Sequence, residues 1–300
     1  MILKDLGEFN FIERISKGAK LSHQVVKGIG DDAAVLRGPG KKYTLFTSDM
    51  LVEDRHFYKR AGGYLIGKKA LSSNLSDIAA MGGVPGACVV SLGVPGSLNI
   101  RFIDELYRGL RDVARKYKVD LVGGDTVRSK KIIINVALLG EVEKNNLVLR
   151  SGAREGDAIF ITGDIGGSQK GKHLSFSPRL KEARFLVKNF KICSMIDISD
   201  GLLADLGHIL KKSRHGAFLY EKNIPISRHA KDFNSAIKDG EDFELVFTLP
   251  AKETKRLEEV WPFRIRLSRI GEVRSKKQGL FLVRKNGKKE KLMPEGYRHF

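Results

Sequence analysis

Two periodicities alternate along the chain. Lys42–Thr47, Val119–Val122, Lys131–Val142, Asp157–Thr162 and Cys193–Ile198 are short runs rich in Ile, Val and Leu, the composition of strands. Between them apolar residues recur at helical spacing. Tyr64–Met81 carries Leu65, Leu71, Leu75, Ile78 and Ala79, and Ile100–Lys118 puts Phe102, Ile103, Leu106, Leu110, Val113 and Ala114 on one face. Pro178–Phe190 opens on a proline, which a first turn tolerates because its missing N–H has no partner there anyway. Leu202–Lys212 follows Asp200-Gly201, which sets an aspartate where a helix begins. The alternation predicts an α/β (α+β) chain. Polar residues and glycines over Arg150–Asp157 separate two strand-led halves, so the expected domains are 1–150 and 151–300.

Length and composition narrow the class without naming a function. A chain of 300 residues, 42% hydrophobic, can bury an ordinary core in one large or two ordinary domains. It has no apolar run of about 18 residues, the length needed to cross a bilayer. Lys4, Asp5 and Glu8 interrupt the opening where a signal peptide needs an apolar stretch, so a cytoplasmic location and no membrane partner are expected. Cys88 and Cys193 are the only cysteines, too few for a disulfide framework or a structural zinc site. The net charge of +19 suits either an anionic partner or a heavily solvated surface. Basic residues alternate with apolar ones in FRIRLSRIGEV and GLFLVRK, as in edge strands guarded against aggregation, which favours the solvated surface. No nucleic-acid-binding motif is present, and acidic clusters would repel a phosphate backbone, so no nucleic-acid partner is expected.

Those acidic clusters carry the chemistry. Aspartate stands beside glycine or serine in Gly30-Asp31-Asp32, Ser48-Asp49, Ser76-Asp77, Gly124-Asp125 and Asp197-Ile198-Ser199-Asp200. A single such aspartate is most often a turn or helix cap. The same context at so many predicted strand ends suits a different purpose: carboxylates are hard ligands for Mg²⁺, and small neighbours let phosphates approach the backbone. Gly166-Gly167-Ser168-Gln169-Lys170-Gly171-Lys172-His173 imitates a P-loop but ends on His173 where Ser or Thr would bind Mg²⁺. It is therefore expected to be a glycine-rich connection. No Ser-His-Asp or Cys-His arrangement is recognisable.

Taken in order, nine segments resemble the thiamine-monophosphate kinases, within the superfamily that includes aminoimidazole ribonucleotide synthetase. They are GEFNFIERI (7–15), GIGDDAAVL (28–36), TSDMLVEDRHF (47–57), KKALSSNLSDIAAMGGVP (68–85), LVGGDTVRS (121–129), LRSGAREGD (149–157), IDISDGLLADLGHI (196–209), GEDFELVFT (240–248) and GYRHF (296–300). The resemblance implies ATP-dependent phosphorylation of thiamine monophosphate to thiamine diphosphate, with Mg²⁺. Another ATP-dependent synthetase of the superfamily is the alternative. By the same resemblance, Asp31, Thr47, Ser48, Asp49, Asp77, Asp125, Asp197 and Asp200 are expected as magnesium ligands. Asp31, Asp49, Asp77 and Asp125 carry the catalytic role among them. Tyr107, Gly124, Asp125, Arg150 and Ser199 are expected around ATP, and His56, Glu241 and Phe300 at the thiamine phosphate. The implied fold has two domains. Its N-terminal half binds ATP and magnesium and pairs with a second copy as a β-barrel homodimer. Asp239 precedes Gly240-Glu241, where a second glycine is usual, and residues 163–173 are unusually basic.

Overall fold

A computed structural model describes residues 2–297. Its first half runs α1 (Leu3–Leu6), α2 (Glu8–Lys17), β1 (Val25–Lys27), β2 (Ala34–Arg37), β3 (Lys42–Val52), α3 (Gly63–Ala80), β4 (Val84–Val94), α4 (Ile100–Tyr117), β5 (Asp120–Arg128) and β6 (Ile133–Glu143). These strands form a six-stranded sheet in the order β1-β2-β3-β6-β4-β5, antiparallel except for the β4–β5 pair. The second half continues with β7 (Ala158–Thr162), α5 (Lys172–Ser175), α6 (Leu180–Asn189), β8 (Ser194–Asp197), α7 (Leu202–Ser213), β9 (His215–Tyr220), α8 (Phe233–Lys238), β10 (Leu245–Leu249), α9 (Thr254–Val260), β11 (Leu267–Ser275), β12 (Leu280–Val283) and β13 (Lys289–Lys291). It forms a seven-stranded sheet, β13-β12-β9-β11-β7-β10-β8. The mixed α/β, two-sheet architecture agrees with the expected fold class, and neither sheet closes on itself as a barrel.

Three details depart from the sequence reading. β3 does not stop before Ser48-Asp49 but runs on to Val52, because β6 pairs with it along its whole length, from Lys42↔Glu143 to Val52↔Ile133. β5 likewise passes through Gly123-Gly124-Asp125. A Cβ on Gly124 would lie 1.8 Å from the Val90 carbonyl oxygen, so this parallel pairing requires a glycine there. The basic, alternating β11 is an interior strand between β9 and β7, not an edge. Its residues Ile270 and Val273 are fully buried, and the arginines that flank them, Arg269 and Arg274, are half-buried.

Helix α3 is the hub. It touches α4, β3, β4 and β6 in its own half and α5, α6 and β8 in the other. Nearly every residue in it is buried, so it shows no clean apolar stripe. Its small polar residues bond within the helix: Asn74 Nδ2 donates to the Ala70 carbonyl (3.1 Å), and Ser73 Oγ to that of Lys69 (3.1 Å). Gly63, Gly67 and Gly109 let α3 and α4 pack backbone to backbone. One apolar core runs from Leu45, Ile78 and Leu110 across into Phe160, Leu186 and Phe247, so the two halves share it. A second core fills the far face of the larger sheet beneath α7 and α8.

Candidate active site

Strand alternation decides which side chains of β3 reach the interior. Thr47 and Asp49 share a face with buried Leu45 and Leu51, whereas Ser48 is exposed on the other side and donates to Asn135 Oδ1 (3.1 Å). On the inner side a cavity of about 440 Å³ opens between the halves, lined by Asp49, His56, Lys69 and Asp77 from the first and Asp197 and Glu241 from the second. Ser199, Asp200 and Tyr297 also line it.

The carboxylates converge here. Asp32, Asp77 and Asp197 each present an oxygen within 4.8 Å of the others. Thr47 Oγ1 donates to Asp77, Ser76 Oγ to Asp197 (2.6 Å), and Arg150 Nη2 to Asp32 (2.7 Å). The other oxygen of Asp32 is buried with no hydrogen-bond partner. Burial raises Asp77 well above the usual carboxylate range, and Asp49, Asp197 and Asp32 push it further, against the Thr47 hydrogen bond. Burial, then the charge on Asp32, brings Asp197 up to about 8 and Asp49 to about 6. Buried oxygen donors that repel one another, one of them unpartnered, fit a hard divalent cation such as Mg²⁺.

Asp31 is turned differently. Its Oδ1 accepts the Arg150 backbone N–H (2.7 Å), and its other oxygen faces Lys27 at 3.2 Å. It thus anchors the first half to Arg150, while its neighbour Asp32 enters the carboxylate group. The sequence reading expects Asp31 as the ligand, whereas the residue grouped with Asp77 and Asp197 is Asp32. Asp200 stands with Asp205 and His208 at the start of α7. There Asp205 Oδ2 accepts the Asp200 and Gly201 N–H groups (3.0 and 3.1 Å), satisfying free donors at a helix N-terminus. Gly296 packs on the Asp200 carbonyl, and Tyr297 N–H donates to it (2.9 Å), which holds Tyr297 at the cavity. Phe300 lies outside the described residues.

Tyr107, Gly124 and Asp125 are not among the residues lining the cavity. Tyr107 sits on α4 beneath Arg111, and Asp125 is exposed on the edge strand β5, where its Oδ1 accepts the Thr126 N–H (2.8 Å). The GEDFEL run divides its acids among three tasks. Glu241 pairs with Lys69, Asp242 accepts from Gly166 N–H and Ser168 Oγ, and Glu244 takes Arg179 in a two-bond fork together with Lys172 (3.0 Å) and Thr162. Lys172, the lysine of the P-loop imitation, is therefore committed to Glu244 and to the Asp164 carbonyl (2.9 Å). Lys69 lies in the 68–85 segment of the resemblance, where nothing in the sequence marks it out as a site residue.

The shared cavity, with ligand-type carboxylates from both halves, belongs to a known class. Residues 30–142 match the N-terminal domain and 146–283 the C-terminal domain of the AIR synthase related proteins. The thiamine-monophosphate kinase of Buchnera aphidicola subsp. Schizaphis graminum is 36% identical, over 98% of this chain and 99% of its own. That of Bacillus subtilis (strain 168) is 33% identical, over 98% and 100%. A solved structure, AaThiL complexed with AMPPCP and TMP, superposes with a TM-score of 0.87 at 32% identity, covering 100% of this chain and 99% of that one. The chain belongs to the thiamine-monophosphate kinase family.

Proposed function

We propose that this chain transfers the γ-phosphoryl group of ATP to thiamine monophosphate, giving thiamine diphosphate and ADP. The observation that carries the reading is the meeting of Asp32, Asp49, Asp77 and Asp197 beside one cavity between the halves, in a family of thiamine-monophosphate kinases. The acceptor's phosphate oxygen, already anionic at neutral pH, attacks the γ-phosphorus in line. One P–O bond forms as the bond to ADP breaks, and no protein nucleophile is needed. Asp32, Asp49, Asp77 and Asp197 would hold Mg²⁺, which when bound supplies positive charge against that building up on the phosphates. Arg150, pinned by Asp31 and Asp32, presents a fixed cation beside these carboxylates. His56 and Glu241 form the acceptor end, and Phe300 is assigned to it by the family resemblance alone.

We assign 1–150 to ATP and magnesium binding and dimer formation and 151–300 to the second α/β domain. Phe46, Met50, Val89 and Leu139 stand exposed on the outer face of the smaller sheet, and Val122 and Val127 on its edge strand. Covering this surface with a second copy would bury them and complete the surroundings of Gly124 and Asp125, the residues assigned with Tyr107 and Ser199 to the ATP end.

Purified protein incubated with ATP and Mg²⁺ should release ADP only when thiamine monophosphate is added. Absence of that stimulation would sink the assignment, and stimulation by another phosphorylated metabolite alone would move it to a sister activity.

A further inference from the structure

We infer that Lys69 is a positioning residue that assembles the acceptor end of the site from both halves of the chain and thereby sets affinity for the acceptor rather than for ATP. The inference rests on the reading above, in which His56 and Glu241 face the acceptor. Lys69 projects from the middle of α3 and is completely buried. Its ammonium group donates to the His56 carbonyl (2.6 Å) and to the Glu241 carboxylate, one acceptor from each half. Both of those residues line the cavity.

Each partner uses this contact as one of its supports. Glu241 has a backbone φ of +66°, a conformation that non-glycine residues adopt only when their surroundings impose it. Its N–H donates to the Ser199 carbonyl (2.7 Å), which fixes the backbone, and Lys69 holds the side chain. His56 is held against Val52 by its Nδ1, which accepts the Val52 N–H (3.0 Å), and by its own N–H, which donates to the Val52 carbonyl (3.0 Å), while its carbonyl accepts from Lys69. Asp77, Asp197 and Asp32 lean on other supports, namely Thr47, Ser76 and Arg150, and Lys69 reaches the group only through its charge on Asp49. Removing Lys69 therefore loosens the acceptor wall and leaves the cation end braced. Fold stability alone does not explain a buried lysine here, because an apolar side chain of similar volume serves a core at least as well as an ion pair does.

The test uses the full chain with Mg²⁺ and compares wild type, Lys69→Met, Glu241→Gln and the double variant, measuring kcat, both KM values and the melting temperature. Lys69→Met is expected to raise KM for thiamine monophosphate roughly 100-fold while KM for ATP stays within about threefold. The double variant should be no worse than either single, because the two residues act as one unit. If Lys69→Met fails to fold for want of a partner for Glu241, the double variant, which carries neither charge, supplies the same comparison against Glu241→Gln. Unchanged acceptor KM in Lys69→Met overturns the inference. So does an equal rise in both KM values that tracks a falling melting temperature, or additive losses in the double variant. A wild type that shows no acceptor-dependent ADP release overturns the underlying reading instead, and is measured first.

Discussion

Neutralising Asp77 should make the metal-free protein more stable while destroying its activity. In Asp77→Asn the amide oxygen still accepts from Thr47, and the new N–H₂ can meet the unpartnered oxygen of Asp32, so the change removes charge with little loss of bonding. Asp32, Asp77 and Asp197 lie with oxygens within 4.8 Å. Two full charges that far apart repel by about 3.5 kcal/mol at an effective dielectric of about 20. Partial protonation relieves some of this, leaving an expected gain of about 2–4 kcal/mol near pH 8, or a rise of roughly 4–8 °C in melting temperature for a chain of this size. The pH dependence has a definite sign. Asp49 and Asp197 titrate in the folded state at about 6 and about 8, above the ordinary aspartate value. Their contribution to stability is complete below about pH 4 and is lost as pH rises through 6 to 8. Scanning calorimetry of chelator-treated protein from pH 5 to 8.5 should show wild type weakening with pH and Asp77→Asn weakening less. Mg²⁺ at pH 8 should then rescue wild type more than the variant. Turnover should fall by orders of magnitude. A variant less stable than wild type at pH 8, or one that keeps its activity, would refute the account of this cluster.

Other expectations test other parts of the molecule. Lys172→Ala should leave KM for ATP within about threefold and lower the melting temperature by only a few degrees, because Arg179 still holds Glu244; a roughly 100-fold rise would restore a phosphate-binding role to the glycine-rich stretch. Leu139→Lys, on the exposed face of the smaller sheet, should turn a dimer into a folded monomer by light scattering; a monomeric wild type would end the dimer proposal. Gly67→Ala would put a methyl 2.0 Å from the Leu106 carbonyl oxygen. Backbone cannot yield as a side chain does, so a loss of roughly 2–4 kcal/mol in urea unfolding is expected, and an unchanged midpoint would contradict the close α3–α4 packing.

What the sequence disclosed followed from periodicity, and what it hid depended on direction. The alternation of β6 and the apolar face of α4 announced their elements because each lies on a boundary between core and solvent, whereas β7 and β8, buried throughout, showed as continuous apolar runs. Helix α3 was legible from the spacing of Leu65, Leu71, Leu75 and Ile78, although a helix buried on nearly all sides shows no clean stripe. The Ser-Asp pairs were visible, but their reading as strand ends failed at Asp49, because β6 supplies partners well past it. Pairing register is a long-range property that no local run of residues encodes. The same holds for Asp31 and Asp32, adjacent in sequence yet bonded to different groups. Lys69 was hidden for a related reason: its partner Glu241 lies 172 residues away.

The charge balance gains a physical account from this geometry. A protein with a formal charge of +19 gathers carboxylates around its cavity and keeps only a few cations among them. At physiological salt the field of surface charges reaches about 8 Å before screening, enough to favour the approach of polyphosphates but not to dictate where they stop. The cavity itself would repel those anions if its carboxylates stood alone. The two halves of the charge distribution therefore ask for different partners, the exterior for phosphates and the interior for a divalent cation. Each partner removes the obstacle to the other, since the cation offsets the carboxylates and the phosphates complete its coordination. Lys69 and Arg150, both held by acids, order the walls without neutralising the cluster, so the cation site keeps its excess of negative charge.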